Sequence, residues 1–389
     1  MSGRFHIADE AAIAGGGATD VYFVRALELL ARDGVDPQVV VEVRARTLPG
    51  GWPWAMFAGL EEALNLLPAG LGVRALAEGA LFQAGEPVLA IEGRYRGFAA
   101  LETPLLGLLC QASGIATAAA RCRVAAGERA LLSFGARRMH PAIAPMVERS
   151  AWLGGCDGVS TIAAAELLGI EPTGTMPHAL VLCLGDTVRA ARVFDAAFGG
   201  ETPTIVLIDT FQDEKFEALR VAEALGERLD GVRFDTPGSR RGDMREILRE
   251  TRWELDLRGH HGVRFYVSGG LDPEAIVELN PVCDGYGVGT HISAARTIDY
   301  SLDIVEIDGR PIAKRGKASG RKSLLVCGSC GARAVVPAAR GVDTHRCPGC
   351  GAAVRDALQP PPRPYPPVAE LRDAARAALS GRTLDSALA

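Results

Sequence analysis

The sequence predicts an α/β protein: an incomplete TIM-like α/β barrel plus an α+β sandwich domain built from N- and C-terminal segments, with a small zinc ribbon. Three observations lead to this prediction. Short apolar strands alternate with helices between about residues 130 and 290, which is typical of a barrel of parallel strands. The segments before and after this region are strand-like without that alternation, and two CxxC pairs follow near the C-terminus.

The N-terminal region, residues 1–105, is predicted to form the α+β domain. Residues 21–31 have helical periodicity after a loop that ends in capping residues, and residues 57–66 form a second predicted helix. Residues 39–43 and 88–91 are β-branched runs of strand length. These strands do not alternate regularly with helices, so we expect a sheet with a helix packed on it.

Residues 106–299 are predicted to form the barrel, which begins with a long amphipathic helix over residues 102–124. Further helices are predicted after residue 141, through residue 168, and at residues 216–225 and 243–253. The predicted strands are residues 130–134, 155–160, 175–178, 204–209, 232–235, 265–268 and 285–288. About seven such βα units would bring the C-terminal ends of their strands to one face.

Two glycine-rich turns follow the last two predicted strands. Gly269-Gly270 comes after the first, Gly289-Thr290 comes after the second, and a helix beginning at Asp272-Pro273 lies between them. Glycine lets backbone N–H groups approach an anion closely, and neighbouring parallel strands bring two such turns to one end of a sheet. The pattern fits a phosphate site about as well as it fits glycines that only form tight turns.

Three segments follow the barrel. Residues 300–325 are predicted to return as antiparallel strands to the N-terminal domain. Residues 326–353 are predicted to form the zinc ribbon, and residues 354–389 a proline-rich arm with a C-terminal helix.

The zinc prediction rests on two CxxC pairs, Cys327 with Cys330 and Cys347 with Cys350. This pattern is typical of one tetrahedral Zn²⁺ with four thiolate ligands. Such a closed site stabilises structure and has no open position for catalysis. His345 is near enough in sequence to replace one ligand. Disulfide or redox pairing is the weaker alternative in a cytoplasmic chain.

Composition and charge argue against several classes of protein. With 48% hydrophobic and 23% charged residues the chain is ordinary globular protein, and its net charge of −5 argues against broad nucleic-acid binding. A basic cluster at residues 310–322 is most simply a solvated hairpin. The most apolar stretch, residues 105–120, is too short and too polar to span a bilayer, and no export signal is visible. We therefore expect a cytoplasmic protein with no membrane or nucleic-acid partner.

Charged and polar side chains follow successive predicted strands, and they would share the C-terminal face of the barrel. The set combines arginines that bind phosphate or carboxylate, carboxylates that hold Mg²⁺ or a ribose diol, and one histidine. Any one of these residues would fit an ordinary loop or turn, but their common position predicts a site for a highly anionic ligand with a divalent metal. In chain order the set is Phe134, Arg137, Arg138, Asp157, Ser160, His178, Asp209, Arg233 and Asp235, followed by Gly269, Gly270, Gly289 and Thr290.

Eight stretches of the sequence resemble the nicotinate phosphoribosyltransferases, of the type II phosphoribosyltransferase superfamily. The cysteine ribbon is similar to that of their archaeal-type branch, and SGIAT is shared with quinolinate phosphoribosyltransferases. The stretches are ATDVYFVR (18–25), ETPLLGLLCQASGIATAAAR (102–121), FGARRMHP (134–141), GCDGVST (155–161), GTMPHAL (174–180), IDTF (208–211), VSGGLD (267–272) and GVGT (287–290).

The resemblance implies an enzyme, a pentosyltransferase that joins nicotinate and phosphoribosyl pyrophosphate to give nicotinate mononucleotide and pyrophosphate in NAD salvage. It implies Mg²⁺, and ATP hydrolysis coupled to synthesis, as in a ligase, through phosphorylation of His178. It also implies a homodimer or higher homo-oligomer with shared active sites, because Tyr22 from a neighbouring subunit would face Phe134 across the pyridine ring.

The resemblance further implies roles for the strand-end residues. The nicotinate carboxylate or the sugar phosphate would be bound by Arg137 or Arg138, with Asp157 near the ring and Ser160 as a further substrate contact. The ribose, pyrophosphate and Mg²⁺ would be faced by Asp209, Arg233 and Asp235. The 5-phosphate would be held by Gly269, Gly270, Gly289 and Thr290.

Two alternatives stay open. Nicotinamide or quinolinate phosphoribosyltransferase activity would use the same fold, although quinolinate needs further basic residues for its second carboxylate. In a different class, the zinc ribbon and the basic cluster would mark a nucleic-acid or partner-binding protein on a non-catalytic barrel.

Overall fold

The computed structural model describes residues 5–240, 242–338 and 346–388, which form two compact units. The first unit takes the described residues up to Thr117 and from Ala295 onward, and the second takes Ala118–Ala294. The chain therefore leaves the first unit once and returns to it.

Helices and strands cover most of the described chain. The helices are α1 (Glu10–Ala14), α2 (Val21–Arg32), α3 (Leu60–Leu66), α4 (Glu102–Ala126), α5 (Ala144–Leu153), α6 (Ile162–Leu168), α7 (His178–Leu184), α8 (Thr187–Phe198), α9 (Glu214–Leu225), α10 (Met244–Leu257), α11 (Pro273–Leu279), α12 (Thr290–Ser293) and α13 (Val368–Leu379). The strands are β1 (Gln38–Ala45), β2 (Ala55–Met56), β3 (Gly72–Ala75), β4 (Leu81–Phe82), β5 (Pro87–Arg94), β6 (Ala130–Ser133), β7 (Gly158–Val159), β8 (Ile205–Leu207), β9 (Gly231–Phe234), β10 (Arg264–Ser268), β11 (Gly285–Val288), β12 (Tyr300–Ile307), β13 (Arg310–Pro311), β14 (Lys322–Cys327), β15 (Arg333–Pro337) and β16 (Val354–Asp356).

An antiparallel sheet of five strands, in the order β13-β12-β1-β5-β3, forms the core of the first unit. The β-branched run of β1 places Val41 opposite Ile304 of β12 and opposite Ile91 of β5. Val41 and Ile91 are fully buried, as is Val43. Each such buried side chain contributes roughly 1.5–3 kcal/mol, so the strands after the barrel segment are an integral part of this core. Two small antiparallel sheets, β2-β4 and β15-β14-β16, complete the unit.

Six parallel strands, in the order β7-β6-β11-β10-β9-β8, form the sheet of the second unit. The sheet curls into half of a barrel, which confirms the predicted fold class. Its register places Ser133 of β6 beside Val288 of β11, and Gly287 of β11 beside Ser268 of β10. Because these strands end at one edge, the residues that follow them gather there.

The strand predicted at residues 175–178 is wrong. The chain has no regular structure up to Pro177, which is the N-cap of α7, and His178 is the first residue of that helix. Proline cannot donate a ladder hydrogen bond, so Pro172 and Pro177 exclude a central strand here. The segment is held to the sheet where the Thr173 N–H donates to the Val159 carbonyl at 2.7 Å. The sheet therefore has six strands, not about seven, and α7 and α8 occupy residues that sequence left unassigned.

We expected residues 105–120 to be too short and too polar to span a bilayer, but helix α4, to which they belong, is longer and more apolar than that stretch. Together with the turn before it, over Ala99–Ala126, it is long and apolar enough to cross a membrane by length and composition. Its most apolar window is 72% buried within the protein, which is how the core helix of a globular protein appears.

Glu102 is the first residue of α4, and its carboxyl group lies near the carboxylates of Asp303 and Asp20. Burial, and then the charge of these neighbours, raises the pKa of Glu102 to about 7. The same carboxyl has a lower pKa in the unfolded chain. Between about pH 4.5 and pH 7 the native state therefore binds more protons than the unfolded state does. Stability should therefore fall across that interval.

We expect Glu102→Gln to raise the midpoint temperature of unfolding by about 2–4 °C at pH 8, because the amide removes a charge that is poorly solvated in the native state. At pH 5 the native carboxyl is already protonated, so the substitution should have little effect. Thermal unfolding at both pH values measures the difference, with Glu370→Gln in the exposed first turn of α13 as the control. An equal shift at both pH values would show that the ionisation of Glu102 is not the cause of the effect.

Candidate active site

A cavity of about 410 Å³ lies at the C-terminal ends of the parallel strands in the second unit. Residues after β6, β7, β9, β10 and β11 line it, together with the segment before α7. Most of the predicted strand-end residues are therefore brought together. Those that line the cavity are Phe134, Arg137, Arg138, Ser160, Arg233, Asp235, Gly269, Gly270, Gly289 and Thr290.

His178 lies between two carboxylates at the start of α7. Its Nε2 is 3.6 Å from Asp209 Oδ2 and 3.7 Å from Asp235 Oδ2. Its Nδ1 is 3.0 Å from the Thr210 hydroxyl oxygen, and the side chain is 37% exposed. In the neutral imidazole with its proton on Nδ1, that proton is donated to Thr210, and Nε2 has a free lone pair that solvent and small ligands can reach.

Asp209 has a buried carboxylate oxygen with no hydrogen-bond partner among the described residues. Its side chain is 3% exposed, and within the described residues Oδ1 is buried without a hydrogen-bond partner. Burial raises the pKa of Asp209, and the charge of His178 opposes that effect. Carboxylate oxygens are the ligands that Mg²⁺ prefers in proteins. Asp209 and the neighbouring Asp235, which also accepts a hydrogen bond from Ser268 Oγ at 2.9 Å, therefore fit a magnesium ion.

Arg233 extends from β9 toward the ring of Phe134, with its guanidinium carbon 5.8 Å from the ring centroid. Its Nη1 donates to the Thr175 hydroxyl in the segment before α7. Burial lowers the pKa of Arg233, while Asp235 and Asp209 oppose that effect, and an arginine in such surroundings keeps its charge. The cavity thus has a fixed cation beside an aromatic face.

Glycine at two places shapes the wall of the cavity. A Cβ at Gly287 would lie within 3 Å of the Phe134 ring, so only glycine lets that ring pack against β11. Gly269 and Gly270 have φ of +87° and +68°, a left-handed conformation that L side chains rarely adopt. The turn after β10 can therefore present its backbone to a ligand.

Asp157 is not where the sequence predicted it. The residue precedes β7 instead of following a strand, and its Oδ2 pairs with Arg123 and accepts a hydrogen bond from the Leu131 N–H at 3.0 Å. Leu131 lies near the start of β6, so Asp157 belongs to the N-terminal edge of the sheet, opposite the cavity. Ser160 follows β7, as predicted.

Tyr22 lies on α2 in the first unit, and its side chain is 58% exposed. Its ring centroid is 4.5 Å from that of Phe23, which is buried. A role across the pyridine ring in a neighbouring subunit stays a prediction.

The structure adds cavity residues that sequence reasoning missed. Thr175 orients Arg233, and Thr161 lies beside Ser160. His291 follows the GVGT stretch directly, and burial lowers its pKa. The signal available in the sequence was that Thr161 ends the GCDGVST stretch and that His291 directly follows GVGT. Nothing in the sequence connects Thr175 with Arg233, because their contact depends on the fold.

The four cysteines of the two CxxC pairs meet in the first unit, with their Sγ atoms all within 4.8 Å of one another. The two knuckles have matching backbone geometry: Gly331 N–H donates to the Cys327 carbonyl at 3.0 Å, and Gly351 N–H to the Cys347 carbonyl at 2.8 Å. Four sulfurs at this spacing could hold a single Zn²⁺. His345, the alternative ligand, lies outside the described residues.

Three of the six cations in the basic cluster at residues 310–322 form ion pairs within the first unit. Lys322 Nζ lies 2.8 Å from Glu42 Oε2 in a buried pair, and Lys317 Nζ lies 2.8 Å from Asp303 Oδ2. Arg321 pairs with Glu92 at 2.9 Å. These cations support packing, which removes much of the reason to expect a nucleic-acid surface here.

Comparison with known proteins gives consistent matches. The family model described as quinolinate phosphoribosyl transferase, N-terminal domain, matches residues 20–113, and that for the C-terminal domain matches residues 115–303. The nicotinate phosphoribosyltransferase pncB1 of Mycobacterium tuberculosis is 33% identical over 354 residues, covering 79% of this chain and 77% of its own.

Two solved structures are similar over nearly the whole chain. A nicotinate-nucleotide pyrophosphorylase from Pyrococcus furiosus is 48% identical, with a TM-score of 0.94 over 96% of this chain and 97% of its own. Human nicotinic acid phosphoribosyltransferase has a TM-score of 0.71 over 93% of both chains, and at 24% identity it supports the fold alone.

Proposed function

The chain belongs to the nicotinate phosphoribosyltransferase family, and on that premise we propose that the cavity of the second unit is where phosphoribose passes from phosphoribosyl pyrophosphate to nicotinate. The observation that carries the proposal is the convergence of Phe134, Arg233 and Asp235 with two glycine turns on one cavity. An aromatic face, a fixed cation, carboxylates and glycine-rich turns suit a flat anionic base and a phosphorylated sugar with its metal.

The reaction needs little covalent work from the protein. The bond between C1 of the sugar and the pyrophosphate oxygen breaks, and pyrophosphate leaves with the electron pair. The pyridine nitrogen donates its lone pair to C1, so no general base is required. Positive charge grows on the sugar while negative charge grows on pyrophosphate, so a site that holds cations at the leaving group stabilises the transition state.

We assign the parts of the substrates as follows. Arg137 and Arg138, both exposed at the cavity, would bind the nicotinate carboxylate or a phosphate, and Gly269, Gly270, Gly289 and Thr290 would hold the 5-phosphate. Phe134 would provide one face for the pyridine ring.

Mg²⁺ would be held by Asp209 and Asp235, and when bound it would supply positive charge to the pyrophosphate. Support for this comes from Oδ1 of Asp209, which has no hydrogen-bond partner among the described residues, and from the approach of both carboxylates to the same nitrogen, Nε2 of His178. Arg233 would complete the positive charge at the leaving group and keep it beside the ring.

ATP coupling through His178 is part of the proposal. The Nε2 of His178 can act as a nucleophile toward a phosphoryl group when Nδ1 donates to Thr210. Bond formation between Nε2 and phosphorus would release ADP, and hydrolysis of the phosphohistidine would regenerate the imidazole.

His178→Ala should keep some transferase activity but lose the stimulation by ATP, because the substrate groups outside α7 remain in place. Product formation with and without ATP measures the effect, and His261→Ala at an exposed position serves as the control. Unchanged ATP stimulation in His178→Ala would refute the role.

We propose a homodimer or higher homo-oligomer in which Tyr22 serves the site of a neighbouring subunit. Helix α2 leaves Val21, Tyr22, Val24 and Leu29 more than half exposed, between 51% and 65%. Several large apolar side chains exposed on one helix are commonly part of a protein interface. Light scattering of the purified protein tests it, and a monomer with full activity would contradict it. We infer a cytoplasmic location from the metabolic role that the relatives' names describe.

The proposed function is tested by offering nicotinate, nicotinamide and quinolinate in parallel, each with phosphoribosyl pyrophosphate and Mg²⁺, with and without ATP. Product from nicotinate alone is the expected result. Product from quinolinate would favour the second candidate, to which the family models and the Pyrococcus structure's description draw attention. No product from any base would overturn the catalytic proposal.

A further inference from the structure

A second cavity in the second unit, of about 840 Å³, lies at the N-terminal edge of the parallel sheet. It is lined by residues 128–129, by one face of α10, by the first residues of β10 and by residues 280–284, and we call it the α10 cavity. These residues precede β6 and β11 or begin β10, whereas the active-site residues follow the same strands. We propose that the α10 cavity binds a nucleoside phosphate, with its base stacked on Trp253 and its phosphate bound by Arg129.

The indole ring of Trp253 is the part of the α10 cavity that suits a base. Trp253 lies on α10 and is 69% exposed, whereas Trp54 and Trp152 are buried. A single exposed apolar side chain is ordinary on a protein surface, but this one borders a cavity of the size that small ligands occupy. An indole face that is open to solvent stacks well on a flat heterocycle, and every nucleobase provides one.

Positive charge exceeds negative charge around this ring, with four arginines lining the α10 cavity against three carboxylates. Two of the carboxylates already have partners in the protein. Asp256 pairs with Arg252 at 2.9 Å, and Asp284 accepts a hydrogen bond from the Phe265 N–H at 2.7 Å. The guanidinium carbon of Arg252 also lies 4.9 Å from the centroid of the Phe265 ring, so this group forms a fixed floor. The four arginines are Arg129, Arg249, Arg252 and Arg264.

Arg129 is the arginine of the set that can accept an anion. Its Nε donates to the Cys283 carbonyl at 2.9 Å, which fixes the side chain at the cavity. Within the described residues its Nη1 and Nη2 form no hydrogen bond or ion pair, while the other three arginines each pair with a carboxylate. A guanidinium held at Nε presents its two terminal nitrogens side by side, and their spacing matches two oxygens of a phosphate group.

The two features together select the class of ligand. Inorganic phosphate would leave the indole face exposed, and an apolar partner would leave Arg129 without a counter-charge. A single-stranded nucleic acid needs a continuous basic groove, but α10 carries four carboxylates against three arginines. A small molecule with both a flat ring and a phosphate group satisfies both features, so the geometry favours a free nucleotide.

The test is a fluorescence titration of the full chain with adenosine 5′-monophosphate, read from quenching of Trp253. No tryptophan lies among the described residues that line the active-site cavity, so nucleotide bound there would not produce this signal. We expect saturable quenching that Trp253→Phe removes. Adenosine and ribose 5-phosphate, which each lack one of the two recognised groups, should bind at least about tenfold more weakly.

Arg129→Gln should raise the Kd for the nucleotide about tenfold and should leave the Kd for adenosine unchanged. Its matched control is Arg245→Gln, which removes the same charge from an exposed position of α10 outside the cavity and should bind as the wild type does. If Arg129→Gln does not fold, the contrast between the nucleotide and adenosine on the wild type decides the matter, and equal Kd values would overturn the proposal.

Other results would also overturn it. These are the absence of saturable quenching, quenching that persists in Trp253→Phe, equal effects of Arg129→Gln and Arg245→Gln, and tighter binding of a single-stranded oligonucleotide than of the mononucleotide. Protection of Trp253 from acrylamide in the ligand-free protein would show that a second copy of the chain covers this face, and it too would refute the proposal. The inference goes beyond the proposed function and does not depend on it. Absence of turnover would refute the catalytic proposal alone, because the two cavities lie at opposite edges of the sheet.

Discussion

Arg233→Ala is expected to lower kcat/KM by about 1000-fold, equivalent to about 4 kcal/mol of lost transition-state stabilisation. Arg233 is a partly buried cation of the cavity, beside the Phe134 ring and near Asp209 and Asp235. Without it the two carboxylates face an anionic substrate with less compensation, and the hydroxyl of Thr175 loses its donor. Steady-state kinetics with both substrates and saturating Mg²⁺ measures the loss.

Two further variants separate charge from geometry. Arg233→Lys keeps the charge but cannot reproduce the planar fork of the guanidinium, so it should recover only part of the activity. Arg264→Ala removes a half-exposed arginine at the first residue of β10, where it pairs with Asp230, and should leave kcat/KM within about twofold. Arg233→Ala with more than about a tenth of wild-type activity would show that the leaving group is stabilised elsewhere.

Removal of the ribbon metal is expected to have the second large effect, on stability. We expect one Zn²⁺ per chain in the purified protein and none in Cys347→Ser, because a structural site needs its full set of thiolates. Metal binding of this kind supplies about 10 kcal/mol or more to the folding of a small module. Cys347→Ser should therefore make residues 322–356 sensitive to protease, and elemental analysis with limited proteolysis measures both results.

The loss should stay largely within the first unit. The ribbon strands are joined to that unit by a bidentate pair of Arg333 with Glu86, at 2.7 Å for both bonds, and by Arg74 with Asp356 at 3.1 Å. Turnover at 25 °C should fall much less than the stability of the ribbon does. Cys183→Ser, at an exposed cysteine outside the ribbon, should keep both metal and stability. Complete loss of catalysis with an intact fold would contradict a structural role for the metal.

The sequence was most informative where chemistry follows from spacing or from strand order. The spacing of the CxxC pairs was enough to predict a four-thiolate cluster, and their sulfur atoms do lie together. Because parallel strands end at one edge of a sheet, the residues after β6, β9, β10 and β11 were predicted to lie together, and they do line one cavity. The family resemblance, read from short motifs, is confirmed by the comparisons.

Sequence reasoning was wrong where it took a short polar segment for a strand or misjudged where a strand begins. Residues 175–178 were predicted as a strand, but the segment has no regular structure before Pro177, which is the N-cap of α7. Asp157 lies directly before β7 and not after it. It is therefore at the edge of the sheet opposite the cavity. Boundaries of this kind are set by tertiary hydrogen bonds, which local propensity does not encode.

The sequence by itself determined the class of fold, the thiolate cluster and most of the residues at the cavity, because each depends on local patterns and on one rule of parallel sheets. Only the tertiary structure decided which groups act on those residues. Thr175 meets Arg233 across 58 positions of sequence, and Thr210 meets His178 across 32. Such contacts fix the orientation of hydrogens and charges in the cavity, and they arise only when the elements that carry them are packed.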